Sequence, residues 1–300
     1  MGLLEETAHA VLATGGPWPA LEEAGLTGIG VPEDAGGSGG TLAEAAAVLR
    51  IAAYHAAPVP LAETAWLAGP LLASAGLPLP AGPLTAVVGE PRRVPYARSA
   101  RRLVVLDAGR VSVFDLARAG ITPGANLAGE PRDDVSLASV RPEATAPTSL
   151  TAADVRLRGA LARAVQLTGA ARRALDLTVR YAGEREQFGR PIGRFQAVQQ
   201  QLAELAGEVA VADVAVRAAV GTPDDPVAVA AAKANASRAA GTVAAIAHQI
   251  HGAIGVTEEH ELRRATLRLW SWREEYGDEH HWAGVLGELD TGPWSLVTGS

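Results

Sequence analysis

Two hydrophobic rhythms divide the chain. Apolar positions recur every three or four residues over residues 3–14 and 17–25, then from Leu42 to about Tyr54 and through LAETAWLAGPLLASAG. Thr41 is placed to cap the third of these segments, and Pro58 and Pro60 end it. The intervening LTGIGVPEDAGGSGG is too rich in glycine to continue a helix. Near Pro78 the rhythm changes at a linker-like LPLPAGP. Short β-prone pieces follow at Leu84–Val88, Arg102–Leu106, Arg110–Phe114 and Asp134–Leu137, with Asp107-Ala108-Gly109 as a hairpin turn. This stretch ends around Pro147 and is too short to predict a complete barrel.

Beyond Thr151 the helical period returns and persists. Leu157, Leu161, Ala164, Thr168, Ala171, Leu175 and Thr178 form one stripe. Phe195, Val198, Leu202, Leu205, Val209, Ala212 and Val216 form a second, with the alternating three-four spacing of a left-handed bundle seam. The break from Gly221 to Pro226 precedes an alanine-rich third helix to about Gln249. A fourth segment follows Thr257 and sets Leu262, Leu269, Trp272 and Tyr276 on one side. Gly183 and Pro191 bracket the passage between the first two helices, which reads as a helix–helix corner. The expected fold is mainly α with a small β-domain: a helical unit over 1–80, a reduced β-domain over 81–149 and an antiparallel four-helix bundle over 150–300.

Composition narrows the chemistry. The chain has 300 residues, 48% of them apolar but only 4% aromatic, so alanine and branched aliphatics must build the core. A net charge of −7 without a basic face argues against nucleic acid as a partner. The absence of cysteine excludes disulfides, thiolate metal sites and cysteine nucleophiles. MGLLEET lacks the basic and apolar regions of a secretory leader, and no apolar run is long enough for a membrane span, so a cytoplasmic location is expected. Lys233 is the only lysine.

No Walker loop, GxGxxG, HExxH or nucleophile elbow is present. His248 and His251 lie three apart, but no carboxylate is set beside them by sequence, and no metal site is expected. Two glycine-bounded stretches remain. One holds Arg185, Gln187 and Phe188 between Gly183 and Gly189. The other is HQIHGAIGVTEEH, with Gln249 one turn before Gly252. An arginine fork and a glycine-terminated helix are suited to a dinucleotide pyrophosphate, and equally to two plain helix corners.

Together the two stretches resemble the acyl-CoA dehydrogenase family. Its pattern RxQFGxPIxxFQxxQxxLA is matched from Arg185 through Ala203, and QxHGxxGxT from Gln249 to Thr257. GIGVPEDAGGSGG over 28–40 resembles the family's first-domain loop. The resemblance implies FAD, an acyl-CoA substrate, an electron-transfer acceptor and assembly as dimers of dimers. It implies that Arg185, Gln187 and Phe188 touch the FAD diphosphate and adenosine across a subunit interface. Gln249, Gly252 and Ala253 would complete the adenine-side cradle, Ala253 standing where the family has a second glycine.

Family chemistry is α,β-dehydrogenation, with a carboxylate base at one of two positions. For the commoner one, counting from Gly255 lands on Tyr276, and a one-residue gap lands on Glu275. At the alternative position stands Gly159, so Glu275 is the only candidate base. The loop that covers the flavin ring in the family has no recognisable counterpart between Leu84 and Pro147. Two readings follow: a self-sufficient homo-oligomer with Glu275 as base, or a subunit of a heterotetramer that completes a catalytic partner's FAD site. The reduced β region and the unsettled base position favour the second. A helical binding module without cofactor is a remote third.

Overall fold

The computed structural model describes residues 2–258 and 260–288; residues 289–300 of the expected bundle fall outside it. The first helices are α1 (Leu3–Ala13), α2 (Trp18–Glu23) and α3 (Leu42–Tyr54). Thr41 caps α3 as its sequence predicts: Thr41 Oγ1 accepts from the Glu44 amide at 3.2 Å, and the Glu44 carboxylate accepts from the Thr41 amide at 2.7 Å. After the prolines the chain enters a π-helical stretch, Ala62–Ala68, that continues into α4 (Gly69–Ser74).

The β region is fuller than the sequence suggests. Its strands are β1 (Leu84–Val88), β2 (Val94–Pro95), β3 (Arg102–Asp107), β4 (Arg110–Asp115), β5 (Gly120–Thr122), β6 (Arg132–Ser136) and β7 (Ala144–Pro147). They form a four-stranded sheet in the order β1-β3-β4-β7 and a three-stranded one in the order β2-β6-β5. β1 and β3 run parallel; the other pairs are antiparallel. Alternation explains the layering. Leu84, Ala86, Val104, Leu106, Val111 and Val113 point to α4, whereas Leu103 and Val105 point to the small sheet with Val94, Leu116 and Val135. β2, β5 and β7 hold two to four residues each and carry proline or glycine, so they do not register as strands in sequence.

The remaining helices are α5 (Ala152–Glu184), α6 (Gln196–Gly221), α7 (Pro226–His251), α8 (Glu261–Glu274) and α9 (Glu279–Glu288). The predicted stripes of α5 and α6 do face the core, but α5 is buried on every side from Gly159 to Ala171. It is the axis of the molecule, packed by α3, α6, α7 and α8, and one apolar core joins the N-terminal helices to the bundle.

Two local expectations change. The corner after α5 is a β-hairpin: α5 runs through Gly183 to Glu184, then β8 (Glu186–Gln187) pairs with β9 (Arg190–Pro191). Phe188 and Gly189 both have positive φ, the geometry of a two-residue hairpin turn. The fourth helix is split. α8 ends at Glu274, and Tyr276 lies in the following turn at φ 59.

Candidate functional site

The turn between α8 and α9 is where the three parts of the chain meet. Tyr276 enters it with left-handed backbone, costly for a side chain other than glycine. Its carbonyl accepts from Trp282 Nε1 at 3.0 Å. Its ring lies over Gly159 of α5: a Cβ built there would stand 2.4 Å from Tyr276 Cε1. Tyr276, one of the two residues that counting offers for the commoner base position, thus lies against Gly159, which stands at the alternative position and has no side chain. Gly159→Ala should lower unfolding free energy by about 1–3 kcal/mol through overpacking. The loss should shrink in the Tyr276→Ala background, as urea titrations of both would show; equal losses would mean that the two residues are not packed together.

Glu275, beside it, is held by cations. Arg132 Nε donates to Oε1 at 2.8 Å and Arg163 Nε to Oε2 at 2.7 Å, while Asn126 Nδ2 reaches Oε1 at 3.3 Å. Burial pushes the carboxyl upward, but Arg163 and Arg132 outweigh it and hold Glu275 below the ordinary carboxylate range. Arg163 continues the chain, donating from Nη2 to Glu63 at 2.7 Å and from Nη1 to Gln166 at 2.5 Å. On the other side Glu130 pairs with Arg132 and Arg268 and accepts from Trp272 Nε1 at 2.8 Å. Three carboxylates and three guanidiniums, nearly all buried, therefore run from the π-helical stretch through α5 and β6 to α8. Arg163 and Glu63 are 1% and 0% exposed. None of Glu63, Glu130, Arg132, Arg163 and Arg268 is evident as a site residue in sequence. Glu63 and Arg163 give one signal, a charge inside an apolar helical run, LAETAWLAG and GALARAVQL; Glu130 and Arg132 sit in a polar stretch that gives none.

Lys233 pins the same turn. Its Nζ donates to Ser237 Oγ at 2.8 Å and to the carbonyls of Arg273 and Gly277 at 2.8 and 2.6 Å. Burial, then repulsion from Arg163, lowers it from 10.5 to about 7. Between those values the unfolded chain binds a proton that the folded chain does not. Stability relative to Lys233→Met should therefore be flat below about pH 7. Above it, stability should rise by up to about 1.4 kcal/mol per unit towards pH 10. A flat difference across that range would show that the three oxygens keep the ammonium charged.

The residues predicted to hold a cofactor lie elsewhere, at one end of the bundle. Arg185 follows the last residue of α5. Phe188, at the hairpin tip, is 92% exposed and sits edge-on to Phe195. Gln249 is exposed near the end of α7, Gly252 has φ 65, and Ala253 follows in a short 3₁₀ turn. Tyr181 stacks on His251 at 4.4 Å between ring centroids, joining the ends of α5 and α7. The structure thus brings the hairpin and the glycine turn to one place. The side chains of Arg185, Gln187 and Gln249 are exposed and make no hydrogen bond or ion pair among the described residues. A free guanidinium, two free amides, an exposed aromatic ring and a glycine-opened backbone fit the phosphates and base of a dinucleotide. Glu275 does not join them: from Gly159, which touches its neighbour Tyr276, to Glu184 the α5 axis runs roughly 38 Å. His248 bonds Thr266 and His251 bonds the Ala247 carbonyl, each serving packing within the bundle.

Comparison with known proteins agrees with this architecture. Residues 4–77 match the acyl-CoA dehydrogenase N-terminal domain and residues 157–274 the acyl-CoA dehydrogenase C-terminal domain. Acyl-CoA dehydrogenase IpdE2 of Mycolicibacterium smegmatis is 36% identical over 253 residues, 82% of this chain and 78% of that protein. IpdE2 of Mycobacterium tuberculosis is 34% identical over 253 residues, 82% of this chain and 77% of that protein. Among solved structures, the ChsE4-ChsE5 complex from Mycobacterium tuberculosis shares the fold at a TM-score of 0.83 and 22% identity, over 99% of this chain and 98% of that one. A Tcur3481-Tcur3483 steroid ACAD superposes at a TM-score of 0.82 and 25% identity, with the same coverage. Among the described residues no helix is long and apolar enough to cross a membrane. The chain belongs to the acyl-CoA dehydrogenase family, oxidoreductases acting on CH–CH groups.

Proposed function

We propose that this chain is a subunit of a heteromeric acyl-CoA dehydrogenase. It supplies the diphosphate and adenine side of a flavin site whose reactive ring lies in a partner chain, and it does not itself remove the substrate α-proton. When bound, FAD supplies the hydride acceptor for the α,β-dehydrogenation. Arg185 would grip the diphosphate, Gln187 and Gln249 would donate amide hydrogen bonds, and Phe188 would present a stacking face. Gly252 and Ala253 would let the backbone approach.

The carrying observation is the occupied state of Glu275. A general base works best when its pKa lies near the working pH and a lone pair faces the substrate. Both oxygens of Glu275 already accept from arginines, and its pKa is shifted downward. Burial pushes Tyr276 up to about 12, so its phenol stays protonated and can donate a hydrogen bond but not take a proton at neutral pH. Separation along α5 accords with a cradle that serves a neighbouring subunit's flavin, in a homo-oligomer as in a heteromer, so the choice between them rests on Glu275. The paired naming of ChsE4-ChsE5 and Tcur3481-Tcur3483 accords with a two-chain enzyme.

The test is Glu275→Gln, measured in the complex co-purified with a longer family member. Acyl-CoA oxidation should stay within about threefold of wild type, because removing a true base costs about 10²–10⁴-fold. A loss of that larger size in a variant that keeps the wild-type melting temperature would restore Glu275 as the base and sink the proposal.

A further inference from the structure

Two imidazoles meet where α1 lies on α3. His9 of α1 and His55, the residue that closes α3, bring Nδ1 and Nε2 to 2.9 Å, with ring centroids 5.1 Å apart. Tyr54 stands edge-on to both rings, at 6.1 and 5.2 Å. So short a contact needs one N–H and one bare lone pair, and at least one ring must be neutral. With both rings protonated, two N–H groups and two positive charges would face each other. Burial, then the neighbouring His9 and Arg173, lowers His55 from its ordinary value of 6.5.

The charges around the pair are already matched. Arg50 of α3 pairs with Asp213 of α6 at 3.1 Å and with Glu5 of α1 at 4.0 Å. On α5, Asp176 accepts from the Tyr54 hydroxyl at 3.1 Å and pairs with Arg172 at 3.0 Å. Arg173 lies 5.1 Å over the Tyr54 ring and pairs with Glu261 of α8 at 2.7 Å. Each of these carboxylates thus has an arginine, and none is left to offset a second imidazolium.

The rest of α1 is lightly held. Of its 11 residues only Ala8 and Leu12 are buried, and α3 is its principal neighbour. An element with so few apolar contacts opens at small cost, so one polar contact can decide its docking. The other half of the pair is fixed. Ala56 takes φ 52 without being glycine, and the Ala57 amide donates to the Ala52 carbonyl at 3.0 Å, closing α3 and holding His55 in place. A cleft of about 310 Å³, lined by His9, Tyr54, Arg172 and Asp176, admits solvent protons beside the rings.

We infer that His9 and His55 form an acid-sensitive latch, which docks α1 on α3 while one imidazole is neutral and releases α1 when both carry protons. The undocked rings can each take a proton; the docked pair refuses the second. Release therefore takes up protons from solvent. Docking is complete well above pH 6.5 and weakens as pH falls below it, because the undocked state binds more protons there. The latch is independent of the proposed subunit role, and its readout involves neither flavin nor substrate.

Hydrogen exchange of the full chain at about pH 7.5 and about pH 5, read by mass spectrometry and referred to intrinsic rates, tests it. Protection of α1 should fall at least about tenfold at the lower pH, while the middle of α5 keeps its protection. His9→Gln and His55→Gln each leave one imidazole, which can carry its proton and still donate to the amide oxygen. Either variant should therefore hold α1 protection within about threefold across the two conditions. Glu5→Gln should leave the wild-type loss in place. The latch is overturned if wild-type α1 is equally protected at both pH values, or if the loss persists undiminished in both histidine variants. Abolition of the loss by Glu5→Gln would overturn it too, by assigning the titration to the carboxylate. If one histidine variant leaves α1 unprotected already at the higher pH, the other decides; if both do, the rings serve packing alone and the latch falls.

Discussion

Arg163→Met should destabilise the protein by about 3–5 kcal/mol, the cost of leaving buried charge without its partner. Among the described residues Arg163 is the one cation that links Glu63 and Glu275, and each of its three nitrogens donates to an acceptor inside the molecule. Methionine fills comparable volume but leaves Glu63 with no cation within ion-pair distance among the described residues. Glu275 would keep only Arg132 and Asn126. Adding Glu63→Gln and Glu275→Gln should recover most of the loss, because the penalty comes from unpaired charge rather than from missing bulk. Urea denaturation of the single and triple variants reads this directly. A single variant within about 1 kcal/mol of wild type would show that water or rearrangement compensates the carboxylates. A triple variant as weak as the single one would assign the loss to packing.

Arg185→Ala should have the opposite profile. The side chain is exposed and bonded to nothing else among the described residues. Removal should therefore leave the melting temperature of this chain unchanged. In the co-purified complex, flavin content should fall at least about tenfold at limiting FAD, because two charge-assisted hydrogen bonds to a diphosphate are worth more than one decade in binding. Flavin absorbance against protein concentration measures it. Unchanged flavin would remove Arg185 from the cradle.

Much of this molecule is legible in its sequence because helices announce themselves locally. The Thr41 cap, the proline stop after Tyr54, the Asp107–Gly109 turn and the stripes of α5 and α6 all rest on residues within a few positions of one another. The proposed cradle is legible for the same reason, each half being a contiguous motif. What sequence hides is the meeting of distant residues. Arg132 reaches Glu275 from β6, Arg163 reaches it from α5, and Glu63 closes the chain from the π-helical stretch. No local period encodes those encounters. The hairpin after α5 is hidden differently. Gly183 and Pro191 fit a plain corner, and the positive φ that makes a hairpin falls on Phe188, a residue that rarely adopts it. Tyr276 likewise continues the apolar side of α8 on paper, yet it leaves the helix to lie on Gly159.

Glu275 shows why one carboxylate in the right stretch does not establish a base. Position along the chain made it the only candidate; surroundings made it the centre of an ion-pair chain. The buried charges hold the N-terminal helices, the β region and the bundle in register around α5.

The most direct measurement is the flavin content and acyl-CoA oxidation of this chain purified alone, compared with the same chain co-purified with a longer member of its family. The subunit reading predicts colourless, inactive protein alone and a yellow, active complex that loses its colour with Arg185→Ala. A yellow homo-oligomer that oxidises acyl-CoA by itself and dies with Glu275→Gln would contradict it.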